Sequence, residues 1–171
     1  SGSNVINNGS ASNGTASLTG SFDGIRNNNA AGATLTVNNW GLINGANFNG
    51  VQGGVVGSIL NVNNNASGTI SGQFGGVLGQ GLITVVNAGT ISSASGSGIQ
   101  AYNGSLSVTN QAGGLINGPA YGIDAGNGVT LSNAGTISGQ VAVNTNGGTV
   151  NNLTGGAITG GSTGLFSGAN L

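Results

Sequence analysis

Three side chains in this sequence carry a charge, and chemistry would be sought among them first: Asp23, Arg26 and Asp124. Asp23 and Arg26 flank Gly24-Ile25, close enough to bind a ligand together or to act as a catalytic pair. The simpler reading, and the preferred one, is a local surface ion pair worth about 0–1 kcal/mol. Asp124 follows Ile123 as Arg26 follows Ile25, so the two belong to equivalent points of different repeat units. His, Glu, Lys and Cys are absent, which removes the usual general acids, bases and activated nucleophiles. The same inventory offers no zinc ligands, no carboxylate cage for calcium and no disulfide framework. The expectation is therefore a protein that is not an enzyme and uses no metal or cofactor.

Charge is scarce throughout. Charged residues make up 2% of the 171, against about 25% in ordinary soluble domains. The net charge of −1 is not the high charge that keeps chains disordered. Without a basic patch, nucleic-acid binding is not expected. No apolar run approaches the ~20 residues of a membrane-spanning helix, so no membrane insertion by this segment is expected.

The side chain that recurs is asparagine. An alternating apolar stretch closed by Asn appears as Leu35-Thr-Val37-Asn-Asn39, Leu60-Asn-Val62-Asn-Asn64, Ile83-Thr-Val85-Val-Asn87, Leu106-Ser-Val108-Thr-Asn110 and Val129-Thr-Leu131-Ser-Asn133. A shorter copy ends at Asn152, and Val5-Ile-Asn7 reads as an opening copy. From Asn39 to Asn152 the closing Asn residues lie 25, 23, 23, 23 and 19 positions apart. After each comes a Gly-x-Ile segment, at Ile43, Ile70, Ile91, Ile116, Ile137 and Ile158, with an Asn-to-Ile offset alternating between four and six. A second apolar residue preceded by Gly follows, at Ile25, Val77, Ile99, Ile123 and Leu165.

These observations dictate the elements. Alternation of apolar and polar residues makes a strand with one buried face, and the Gly, Asn and Ser between the apolar stretches favour bends over helix. Repetition of the same order at a fixed period predicts an all-β, parallel β-solenoid. The reading is one domain over residues 1–171, with three short strands per coil and about six or seven coils of ~19–25 residues. A β-sandwich is the competing architecture, but it gives no reason for an Asn at the end of one strand in every unit. Asn39, Asn64, Asn87, Asn110, Asn133 and Asn152 share parity with the buried residues, so they are predicted to form a continuous buried amide ladder. Coils stack at about 4.8 Å, which puts Arg26 and Asp124 about 19 Å apart and makes a paired-carboxylate hydrolase improbable.

The outward positions of the same strand form a candidate binding face: Thr36 and Asn38, Asn61 and Asn63, Thr84, Ser107 and Thr109, Thr130 and Ser132. This array is similar to the Thr-x-Thr faces of ice-binding solenoids, although Thr is also simply a good exposed strand residue. The aromatic residues occupy different places in the unit and are expected to form no column. Gly53-Gly54 and Gly75-Gly76 read as turns, and Asn-Gly pairs such as Asn44-Gly45 and Asn117-Gly118 as bends that tolerate positive φ.

The segments Asn87-Ala-Gly-Thr-Ile-Ser92 and Asn133-Ala-Gly-Thr-Ile-Ser138, with the Gly-Ile or Gly-Val step after them, resemble repeats in the passenger regions of bacterial autotransporters and related large surface adhesins. The resemblance runs from about Asn4 to Leu171. It implies a right-handed β-helix, export to the bacterial cell surface or beyond, and a place in a longer exported protein. The function expected on this basis is structural or adhesive. Partners would be copies of the chain, end to end or side by side, or a host or cell-surface ligand. The alternative is an ice-binding module.

Overall fold

The computed structural model describes residues 2–28 and 30–171. It is all-β, a solenoid of about seven turns in which every paired strand is parallel to its neighbours. No helix long and apolar enough to cross a membrane is present among the described residues.

Each turn begins with the Asn-closed strand. Those strands are Ser3–Asn8, Thr34–Asn39, Ile59–Asn64, Leu82–Asn87, Leu106–Asn110, Val129–Asn133 and Gly148–Asn152, and they form one seven-stranded sheet in sequence order. The second strands are Ser17–Gly20, Leu42–Gly45, Thr69–Gly72, Thr90–Ser93 and Leu115–Asn117. The third are Ile25–Arg26, Asn49–Gln52, Gly75–Gly79, Ser97–Ala101 and Tyr121–Ala125. In the sixth and seventh coils the second and third strands run on as single strands, Thr136–Thr145 and Ala157–Ser167, and this joins the two faces into a twelve-stranded sheet. In the sixth coil the length of the link explains the join. Ile137 and Val143 lie six positions apart, against seven or eight for the equivalent residues of the other coils, so too few residues remain for a bend. The seventh coil stacks on the sixth and follows its path.

Stacking in register turns each inward position into a column. Ile6, Val37, Val62, Val85, Val108, Leu131 and Val150 make one, and Leu18, Ile43, Ile70, Ile91, Ile116, Ile137 and Ile158 another. A third column is Ile25, Val51, Val77, Ile99, Ile123, Val143 and Leu165, and a fourth, in the Asn-closed strands, is Leu35, Leu60, Ile83, Leu106 and Val129. Val51 and Val143 complete the Ile25 column; Val51 also follows a Gly, and only Val143, which follows Ala142, departs from the Gly-apolar pattern. In the central coils these side chains are fully buried, each contributing about 1.5–3 kcal/mol by leaving water.

Glycine before the third column is imposed by contact. A Cβ on Gly50, Gly76, Gly98 or Gly122 would sit 2.6–2.9 Å from the Cγ2 of Ile70, Ile91, Ile116 or Ile137. Gly75-Gly76 is accordingly part of a strand, not a turn. Asn44-Gly45 and Asn117 also lie in strands, while the Gly after Asn127 and after Asn146 does take positive φ, 99° at both Gly128 and Gly147.

Candidate functional site

The asparagine ladder is continuous. Nδ2 of each Asn donates to Oδ1 of the Asn one coil on, from Asn39 through Asn64, Asn87, Asn110 and Asn133 to Asn152, every time at 2.8 Å. The ladder begins one coil earlier than predicted, because Asn8 donates to Asn39 at 2.8 Å. The register pairs Asn8 with Asn39 and Asn7 with the outward-facing Asn38, so Val5-Ile-Asn7 is displaced by one residue from the true opening copy. A one-residue slip exchanges the faces of a strand.

The ladder also accounts for the alternating offset of four and six. Each Nδ2 also bonds the carbonyl of the Gly in the following Gly-x-Ile segment, two residues on for Asn39, Asn87 and Asn133 and four residues on for Asn64, Asn110 and Asn152. The longer corners close a turn of their own, as in Gly114 N–H to Gln111 C=O at 2.9 Å. One amide thus fits both corner lengths. A third acceptor, the carbonyl of the next coil's second strand (Thr69, Thr90, Leu115, Thr136 and Ala157), ties successive coils together.

The register stacks the residues of the candidate binding face. Thr36, Asn61, Thr84, Ser107, Thr130 and Thr149 form one outward column of the seven-stranded sheet; Asn38, Asn63, Val86, Thr109, Ser132 and Asn151 form its neighbour. Asn7, Asn38 and Asn63 make a short outer ladder, with Asn38 donating to Asn7 at 2.8 Å and Asn63 to Asn38 at 2.7 Å. Val86 ends it. The second strands carry a further polar column that the strand pattern alone does not single out: Thr19, Asn44, Ser71, Ser92, Asn117, Ser138 and Thr159. Its signal is the residue after each Gly-x-Ile, which is Ser or Asn in most units.

Asp124 is remote from the other two charged residues. Arg26, Gln52, Leu78, Gln100 and Asp124 occupy one outward column, so Arg26 and Asp124 are four coils apart, about 19 Å. Asp124 is held between amides, accepting from Gln100 Nε2 at 2.9 Å and Asn144 Nδ2 at 2.7 Å. Arg26 approaches Asp23 at 3.9 Å, but only Arg26 is at the surface: its side chain is 58% exposed and that of Asp23 is 3%. Oδ1 of Asp23 accepts from the backbone N–H of Asn49 at 3.0 Å and from its Nδ2 at 3.2 Å. Asp23 is thus an anchor between the first two coils, which corrects the reading of a plain surface pair.

The aromatic residues bring a second correction, since some of them do form a column. Phe22, Phe48 and Phe74 stand above one another at the corner between second and third strands, with ring centroids 5.6 Å and 5.8 Å apart. All three are exposed, and Gly96 and Ala120 occupy the same corner in the next two coils. The column therefore stops abruptly, leaving a cleft of about 430 Å³ edged by Phe48, Phe74, Tyr102 and Tyr121. Its signal in the sequence is the equal spacing of 26 positions from Phe22 to Phe48 to Phe74.

No family model, curated protein or solved structure matches this chain.

Proposed function

We propose that this chain is a non-catalytic structural or adhesive solenoid acting outside the cell or at its surface, as a segment of a longer exported protein. It makes contact with copies of itself or with another surface through its repetitive Asn, Thr and Ser faces. The observation that carries this reading is the seven-stranded sheet, whose Thr36 and Asn38 columns repeat short uncharged polar groups in register, with Val5 and Val86 as the exceptions. Such a face offers many equivalent weak contacts, and linked weak contacts gain strength through effective concentration. With a net charge of −1, little repulsion opposes the approach of two copies.

The test is to place lysines on the face. Thr36→Lys, Thr84→Lys and Thr130→Lys together put like charges opposite one another between copies, while surface changes of this kind usually alter stability by no more than about 0.5 kcal/mol each. Sedimentation velocity and clumping of cells displaying the protein should show association for the parent and its loss in the triple variant. A parent that stays monomeric and causes no clumping at any concentration would overturn the proposal of self-contact.

One observation favours ice as a second target. The hydroxyls of Thr84, Ser107, Thr130 and Thr149 occupy four successive coils of one parallel sheet without interruption. Thermal hysteresis at micromolar protein, abolished by Thr130→Lys, would support that alternative, and its absence would retire it.

A further inference from the structure

We infer that the cleft where the phenylalanine column ends binds a neutral glycan, stacking a pyranose unit against Phe74 and the two tyrosines. This site lies on the corner between second and third strands, away from the seven-stranded face, and is independent of the self-contact reading.

The cleft exists because large residues give way to small ones within a single column. Phe48 and Phe74 form one wall, Gly96 and Ala120 leave the floor low, Tyr121 rises from the fifth coil, and Tyr102 closes the side. Its volume of about 430 Å³ falls in the range of ordinary ligand pockets, about 300–1,000 Å³. Rings that remain 42% exposed at Phe48, 53% at Phe74 and 49% at Tyr102 leave apolar surface that a ligand would cover with gain.

The polar groups select the kind of ligand. Gln100 and Asn49 line the cleft beside the tyrosines. Asn49 is 4% exposed, and its Oδ1, with no hydrogen-bond partner among the described residues, is itself buried in the cleft wall, an acceptor that a ligand hydroxyl reaches only by displacing the groups over it. Among the described residues no cation lines the cleft, and Arg26 lies three coils from Gln100 along their shared column, about 14 Å away. An anionic ligand would therefore find no counter-charge. A cationic one would find no carboxylate in the lining among the described residues, and both oxygens of neighbouring Asp124 already accept from Gln100 and Asn144. Apolar ring faces within an uncharged rim of donors and acceptors match a sugar, which has a C–H face and a hydroxyl edge. The ~4.8 Å rise per coil is also close to the length of one residue in an extended glycan, so a chain lying along the axis meets successive coils with successive units.

Titration of the intact chain on an array of neutral oligosaccharides (β-glucans, mannans, galactans, xylans), with heparin and chondroitin fragments as anionic comparators, tests this. Hits are followed by saturation-transfer NMR. At least one neutral class should bind, with transfer from aromatic protons, and Phe74→Ala and Tyr121→Ala should each weaken it tenfold or more. Tyr102→Ser, an exposed change that spares the fold, should weaken it at least threefold, whereas Thr84→Lys on the seven-stranded face should leave it unaltered. The inference is overturned if no neutral glycan binds, if only the anionic fragments do, or if binding survives all three cleft variants. It also fails if the cleft instead mediates dimerisation lost in Phe74→Ala.

Discussion

The corner after the first strand and the corner before the third are built on opposite plans. The first carries an asparagine in all seven coils, from Asn8 to Asn152, and its hydrogen bonds keep one length throughout. The second changes from Phe22, Phe48 and Phe74 to Gly96, Ala120 and Gln140. The difference follows from what each side chain touches. A buried amide whose partners are its own equivalents above and below cannot change alone, because each change orphans two neighbours. A side chain in solvent answers only to loose contacts, so each coil is free to differ there. Regularity marks what holds the molecule together, and a break in regularity marks a place that could recognise something.

Substitutions should rank the two corners by energy. The largest effect is expected from Asn110→Ala. It strips partners from Asn87 Nδ2, Asn133 Oδ1 and the carbonyls of Gly114 and Thr136. At about 1–3 kcal/mol for each unpaired buried group, the loss in urea unfolding should reach roughly 3 kcal/mol or more. A loss below ~1 kcal/mol would erase the distinction between the corners. Asn152→Ala, at an exposed terminal rung, should cost clearly less than Asn110→Ala.

Gly98→Val comes next, since its Cβ would lie 2.7 Å from the Gly122 carbonyl oxygen and 2.9 Å from Ile116 Cγ2. Overpacking of this kind costs about 1–3 kcal/mol. Phe48→Ala removes two ring contacts at an exposed site and should cost about 1 kcal/mol. The smallest effect belongs to Arg26→Ala, less than ~1 kcal/mol for an exposed partner. Asp23→Ala should exceed it, because the Asp23 carboxylate holds both the backbone and the side chain of Asn49, and denaturation midpoints for the two variants give the order directly.

The same contrast explains how much of the fold and of the candidate site is legible in the amino-acid sequence. Coil order, the apolar columns and the ladder from Asn39 to Asn152 can be read there, because residues that stack on their own kind must repeat. The start at Asn8 is hidden by a slip of one position, since Asn7 and Asn8 offer the same letter to both faces. The phenylalanine column is harder to see because only three coils carry it, at a spacing of 26 that differs from the later period of 23. Gly75-Gly76 reads as a turn because glycine's most familiar use is flexibility, whereas here it makes room for Ile91 Cγ2. The burial of Asp23 depends on Asn49, one coil away, and no local pattern announces that.

The amide ladder also has a direction. From Asn8 to Asn133 every Nδ2 hands a hydrogen forward to the next coil's Asn, and none passes it back. A chain winding from its first coil onward therefore meets, at each turn, a donor already aimed at the spot its next asparagine must occupy. The stack therefore has unlike ends: the first rung, Asn8, turns an amide oxygen away from the ladder, and the last, Asn152, an amide N–H.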